Sequence, residues 1–119
     1  MSTNQATTLN SDLDGLILEG KLLEAFDTYY ADDVVMQEGK SSPRKGKPAN
    51  REYEEQFVAS IAEFHGAELH ASAVSGDTSY SEWTFDFTPK GGERVTMTQV
   101  AARTWRDGKV VVERFYTAQ

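Results

Sequence analysis

Along the first thirty residues the apolar positions recur at three- and four-residue intervals: Leu13, Leu16 and Ile17, then Leu22, Leu23, Phe26 and Tyr30. That spacing is helical, and Gly20 interrupts it, so the pattern predicts two short helices or one kinked one. Asn10, Ser11 and Asp12 are candidate N-caps, because their side-chain oxygens can accept the unpaired amide hydrogens of a first turn. Residues 1–9 are polar and read as a disordered leader, with neither the basic region nor the apolar stretch of a secretory signal. The next segment, DDVVMQE, is too β-branched at its centre to extend a helix and alternates, which predicts a short strand. GKSSPRKGKPAN is broken by glycines and prolines and reads as a loop, with Asn50 placed to cap the next helix. From Arg51 to His65 the residues Tyr53, Phe57, Ile61 and Phe64 form one apolar stripe, the mark of an amphipathic helix that Gly66 would end.

Beyond Gly66 the period changes from helical to alternating. AELHASAV, SYSEWTFDFT, ERVTMTQVAARTWR and KVVVERFYTA are β-rich, and the breaks between them, SGD, PKGG and DG, are turn signals. Four consecutive antiparallel strands are expected. Helices, a strand, a helix and a meander make an α+β order, with the helices held to one face of a curved antiparallel sheet. At 119 residues the chain builds one core, which places a single domain at residues 10–119.

Charge and composition narrow the function. Lys plus Arg number 12 against 19 Asp plus Glu, a net charge of -7, which disfavours phosphate backbones and anionic lipid surfaces. The one basic cluster, Arg44, Lys45 and Lys47, lies in the Pro and Gly loop without interleaved aromatics and reads as solvated. Nucleic acid is therefore not an expected partner. The absence of cysteine removes thiolate chemistry and zinc-thiolate sites and fits a reducing compartment. No apolar run approaches the roughly 20 residues that cross a bilayer, so no membrane role is expected, and the expected location is cytoplasmic.

The segments YYADDVVMQEG, SSPRKGK, FVASIAEFHGAELH and RTWRDGKVVVERFY, in this order, resemble the nuclear transport factor 2-like superfamily, which includes ketosteroid isomerases and SnoaL-type polyketide cyclases. The resemblance runs from about Leu13 onward and implies a cone-shaped α+β barrel, a curved antiparallel sheet wrapped around the N-terminal helices, with a pocket open at one end. Against the isomerase pattern, ADDVVMQE puts Glu38 where the catalytic carboxylate base stands, and Tyr53 where an aromatic meets the substrate. The sequence departs from the pattern where the oxyanion donors stand: the helix-one tyrosine is replaced near Leu13 and the protonated aspartate by Ala101. Without that pair a developing enolate loses its principal stabilisation, so steroid isomerisation is not expected.

Period two, with the facing the resemblance implies, puts Val95, Met97, Gln99, Ala101, Arg103 and Trp105 on the concave face, joined from the closing strand by Glu113, Phe115 and Thr117. The candidate catalytic residues are Glu38 as general base with Arg103 and Glu113, and the candidate ligand-binding residues are Met36, Tyr53, Met97, Gln99, Trp105 and Phe115. Arg103 and Glu113 on adjacent strands are also the ordinary makings of a cross-strand ion pair, and Glu38 of a solvated strand end. Pattern alone turns Trp83, Phe85 and Phe87 toward the helices, whereas gapless alignment to the isomerases would put Glu82 and Asp86 there. His65 and His70 lack further ligands at useful spacing, so no metal site is expected, and His65 reads as a helix-terminal cation.

These readings converge on a protein that binds a small, apolar, oxygen-bearing molecule and moves a proton beside a carbonyl without a cofactor. The alternative is a ligand carrier or an interaction domain of the same fold. The outward set Thr96, Thr98, Val100, Ala102 and Thr104 is flat and uncharged, which predicts a homodimer through the convex face. Sedimentation over a concentration series should show a mass rising to twice the monomer; a constant monomer mass up to high micromolar concentration refutes it.

Overall fold

The computed structural model describes residues 2–118; residue 1 of the expected leader and residue 119 of the expected domain lie outside them. Helix α1 spans Thr3–Leu18 and α2 Leu22–Tyr29, separated at Gly20, whose φ of 78° a side chain would resist. Strand β1 (Tyr30–Glu38) and the two-residue β2 (Arg44–Lys45) precede helix α3 (Lys47–Ser60). A meander completes the chain: β3 (Ile61–Ser75), β4 (Thr78–Pro89), β5 (Val95–Arg106) and β6 (Lys109–Ala118). All six strands form one sheet in the order β2-β1-β6-β5-β4-β3. The fold class is α+β, as the order of patterns implies.

Four features differ from the expectations. First, α1 starts at Thr3, not near Asn10, because Ser2 and Gln5 form a capping box, in which each side chain answers the other's backbone amide. Asn10 is mid-helix and buried, not a cap, and the polar stretch expected to be a leader carries two turns of helix. Second, α3 ends at Ser60 rather than His65: Ile61 and Phe64 fit a helical stripe, but their backbone pairs with Pro89 and Phe87 of β4. Gly66 lies at a bulge in β3, and His65 is a strand residue whose Nε2 meets Thr88 Oγ1 at 2.8 Å.

Third, the sheet is mixed and does not close into a barrel. The chain leaves β1, crosses along α3 to the far edge, and returns through the meander so that β6 lies parallel beside β1. Fourth, Asn50 does not cap α3. Gly46 holds the N-cap position with Pro48 in the first turn, while Asn50 is buried and donates to the carbonyls of Gly46 at 2.8 Å and Arg44 at 3.1 Å. Its Oδ1 accepts from Arg44 Nε at 3.2 Å, which ties the β2 corner to the helix.

The core lies between the helices and the concave face: Leu13, Phe26, Val34, Met36, Trp83 and Trp105 are all nearly inaccessible. On β4 the hydrophobic pattern decides the facing, because Trp83 and Phe87 are buried inward while Tyr80 and Glu82 point out. The β5–β6 hairpin turns on Asp107 and Gly108, both at positive φ, which matches the right-handed twist of its strands. On the outer face His70, Thr84 and Thr98 form a hydrogen-bonded row across three strands, and Tyr80, Val112 and Tyr116 are exposed. Asn50→Ala should destabilise the fold by about 1–3 kcal/mol, the cost of orphaning buried carbonyls, whereas Ser72→Ala on the exposed part of β3 should change little. Urea unfolding of both variants checks this.

Candidate functional site

The helices and the concave face enclose a cavity of about 470 Å³, within the usual range for ligand sites. Its walls are mostly apolar because every element around it turns a hydrophobic stripe inward: Ile17 from α1, Phe26 from α2, Phe57 from α3, and Trp83, Phe85 and Phe87 from β4. Trp83 and Phe85, two residues apart on one face of β4, stack at 5.3 Å, and Phe57 meets Phe87 edge-on at 5.6 Å. Against this background a few polar side chains stand out.

Glu38 lines the cavity at the end of β1, but it is not free. Arg44 grips it with both terminal nitrogens, Nη1 to Oε2 at 2.6 Å and Nη2 to Oε1 at 2.8 Å, a bidentate pair set by the β1–β2 turn. The same guanidinium lies 3.5 Å from the ring centre of Tyr53, which is 42% exposed at the cavity wall. Glu38, Arg44 and Tyr53 thus form one latch between β1, β2 and α3.

Arg103 and Glu113 face each other in register on β5 and β6, and both are about 1% exposed. Arg103 Nε donates to Glu113 Oε2 at 2.8 Å, and the other carboxylate oxygen accepts from Tyr30 Oη at 2.5 Å. Nη1 of Arg103 donates to Asp14 Oδ1 at 2.6 Å and Asn10 Oδ1 at 2.7 Å, both one turn apart on α1. Ser81 donates to Asp14 at 2.6 Å and Ser79 to Asn10 at 2.8 Å, while Trp105 Nε1 donates to Ser79. Burial opposes the charge on Arg103, and Glu113 and Asp14 more than offset it, so its pKa lies above the ordinary value. Burial and the adjacent Glu113 carboxylate raise that of Tyr30 well above normal, so the phenol stays a donor.

One carboxyl on the cavity wall has no such partners. Glu54 on α3 is partly buried and makes no hydrogen bond or ion pair among the described residues. Burial, then the charge of Glu113 and that of Glu38, push its pKa from 4.5 up to about 7, with Arg44 pulling the other way. Gln99 of β5 likewise lines the cavity with its amide unengaged. No cluster of three or more potential metal ligands occurs among the described residues.

Of the residues singled out from the sequence, Glu38, Tyr53, Met97, Gln99, Arg103, Glu113 and Phe115 line this one cavity. Met36 and Trp105 do not; they are buried in the core beside it. Glu54, Tyr30 and Asp14 were missed. The signal for Glu54 was its position three residues before Phe57 and four before Val58, a carboxyl set into an apolar helical stripe. For Asp14 it was the same irregularity: with Asn10 it shares the face of Leu13 and Ile17.

The SnoaL-like domain model matches residues 16–113. Among solved structures, a SnoaL-like polyketide cyclase candidate from Mesorhizobium loti is 33% identical with a TM-score of 0.84, covering 92% of this chain and 97% of that one. An LEH-like epoxide hydrolase from M. tuberculosis superposes with a TM-score of 0.77 at 18% identity, covering 98% of this chain and 84% of that one. A protein of ketosteroid isomerase-like fold from Catenulispora acidiphila, in complex with trimethylamine, does so at 0.71 and 14% identity, covering 85% and 78%. The latter two show likeness of fold alone. No curated protein matches. The match over residues 16–113 and the 33% identity of a structure covering nearly the whole chain establish that this protein belongs to the SnoaL-like domain family, within the nuclear transport factor 2-like superfamily.

Proposed function

We propose that the protein binds a small, apolar, oxygen-bearing molecule in this cavity and that Glu54 exchanges a proton with it. The observation that carries the reading is a carboxyl, unpaired among the described residues and with a pKa of about 7, on a mostly apolar wall. A base whose pKa lies at the working pH combines a large ionised fraction with useful basicity. Apolar surroundings keep water from competing for the proton. Gln99 supplies a neutral donor for a ligand oxygen, while Tyr30 stays committed to Glu113. The reaction class is proton transfer beside a carbonyl, of isomerase or cyclase type. In this reading the base expected at Glu38 moves to Glu54, because both oxygens of Glu38 are held by Arg44.

A second reading, a carrier without catalysis, has its own support: Arg44 and Arg103 are already bonded to carboxylates, so a developing enolate would meet no free positive charge among the described residues. Self-association through the outer face, where Tyr80, Val112 and Tyr116 are exposed, belongs equally to both.

The carbon acid 5-nitrobenzisoxazole separates the two readings. A base in an apolar cavity takes its ring C–H proton, the released electron pair forms the nitrile, and the N–O bond breaks to give a coloured phenolate. The rate should rise with pH through about 7 and fall by roughly a hundredfold or more in Glu54→Gln. An undiminished rate in that variant removes Glu54 as the base. Glu38→Gln should keep most of the rate and cost at most about 1 kcal/mol of stability from the partly exposed pair with Arg44.

The folding equilibrium gives an independent check. A carboxyl whose pKa is raised in the native state destabilises it once pH exceeds the unfolded value near 4.5, and fully so above about 7. Glu54→Gln should therefore match the wild type at pH 4 and be more stable at pH 8, by up to about 3 kcal/mol. Equal stability at both pH values would show that Glu54 titrates normally.

A further inference from the structure

We infer that the cavity is a charge filter, admitting uncharged oxygen-bearing molecules and refusing carboxylates and other anions, and that Asp14, outside the cavity wall, sets this selectivity. The inference rests on the binding reading above and adds the ligand's charge class and a residue that governs it.

Arg103 is the one basic residue among the described residues that line the cavity, and by position it looks made to receive a ligand carboxylate. The geometry says otherwise. Its guanidinium is shared between two carboxylates, Glu113 at 2.8 Å and Asp14 at 2.6 Å, and it is only about 1% exposed. With both pairs ionised, the trio carries a net charge of minus one. Asp14 does not line the cavity: it approaches Arg103 from α1, and its other oxygen accepts from Ser81. Without it, Arg103 and Glu113 would balance.

The other groups add to the negative side. Glu38 is cancelled by Arg44, whose two terminal nitrogens are both spent on it. Glu54 has no counter-ion, and the chain as a whole carries -7. The groups facing Glu54 are Glu113 and Tyr30, bonded to each other across β6 and β1, Glu38 and Arg44 as a pair, and the neutral Tyr53 beside it. An anion entering this low-dielectric space therefore meets like charge with no free cation among the described lining residues to answer it. A ketone or ester of the same shape carries no charge to be repelled and meets the Gln99 amide and largely apolar walls.

Two probes of equal shape test this: 2-acetylnaphthalene, uncharged, and 2-naphthoate, ionised throughout the range used. Their affinities are measured by calorimetry at pH 8.5 and pH 6 for the wild type and Asp14→Asn. In the wild type the ketone should bind at least roughly tenfold tighter at pH 8.5, and the gap should narrow at pH 6 as Glu54 takes up a proton. In Asp14→Asn, which keeps an acceptor for Arg103, naphthoate should gain roughly tenfold while the ketone is unchanged. A circular dichroism melt confirms that the variant folds; if it does not, Asn10→Asp replaces it, adding a negative charge beside Arg103, and should widen the gap at pH 8.5, an unaltered ratio overturning the filter. Ketone and naphthoate of equal affinity at pH 8.5, or a folded Asp14→Asn with an unaltered ratio, overturns the filter and leaves the binding reading standing. Binding of neither probe overturns both.

Discussion

A guanidinium cannot be removed from water without carboxylates and hydrogen-bond acceptors brought to meet it, and the burial of Arg103 imposes that demand on three neighbouring elements at once. Glu113 answers from β6, Asp14 and Asn10 from α1, and Ser81 from β4. Because Asn10 and Asp14 are one turn apart, their engagement fixes both the rotation of α1 and its distance from the sheet. Leu13 and Ile17 then have to face the concave side, which is where the cavity wall needs them. Such a cluster often contributes less to net stability than an apolar core of equal volume would, and its partners are met in the arrangement that α1, β4, β5 and β6 adopt here.

The fold was legible because its hydrophobic periods are clean where burial is one-sided. The inward facing of Trp83 and Phe87 followed from alternation alone. Legibility failed where two periods overlap. Ile61 and Phe64 satisfy a helical stripe and also line a strand, and only the pairing partner β4, far along the chain, decides between them. It failed again at β6, whose parallel neighbour cannot be read from a run of hairpins. At the N-terminus, a capping box made of ordinary polar residues looked like unstructured chain.

The site was legible by position and not by state. Glu38, Arg103 and Glu113 do reach one cavity, as the strand period and the family resemblance suggested. What the sequence concealed was the accounting of charge among them. Arg44 belongs to a segment whose sequence reads as a solvated loop, yet it stands on β2 and closes on Glu38 through both terminal nitrogens. Glu54 hides among Glu52 and Glu55, and only the three-dimensional surroundings separate a solvated carboxylate from one with a pKa near 7. The state of the cavity thus depends less on which ionisable groups are present than on which one is left without a partner among the described residues.

The parallel contact of β1 with β6 bears on the order in which the molecule is made. Tyr30 and Glu113, joined by a hydrogen bond, are 83 positions apart in the chain. During synthesis β1 and the helices emerge long before the strand that must lie beside them, and until then β1 has only the two-residue β2 to pair with. The cavity, walled partly by β5 and β6, cannot exist on a nascent chain whose last strands are still in the ribosome. Closing so long a loop is also slow, since its entropy is lost before the contact rewards it. The pairing of β6 with β1 is therefore the event that completes the cavity wall, and no shorter piece of the chain can carry it.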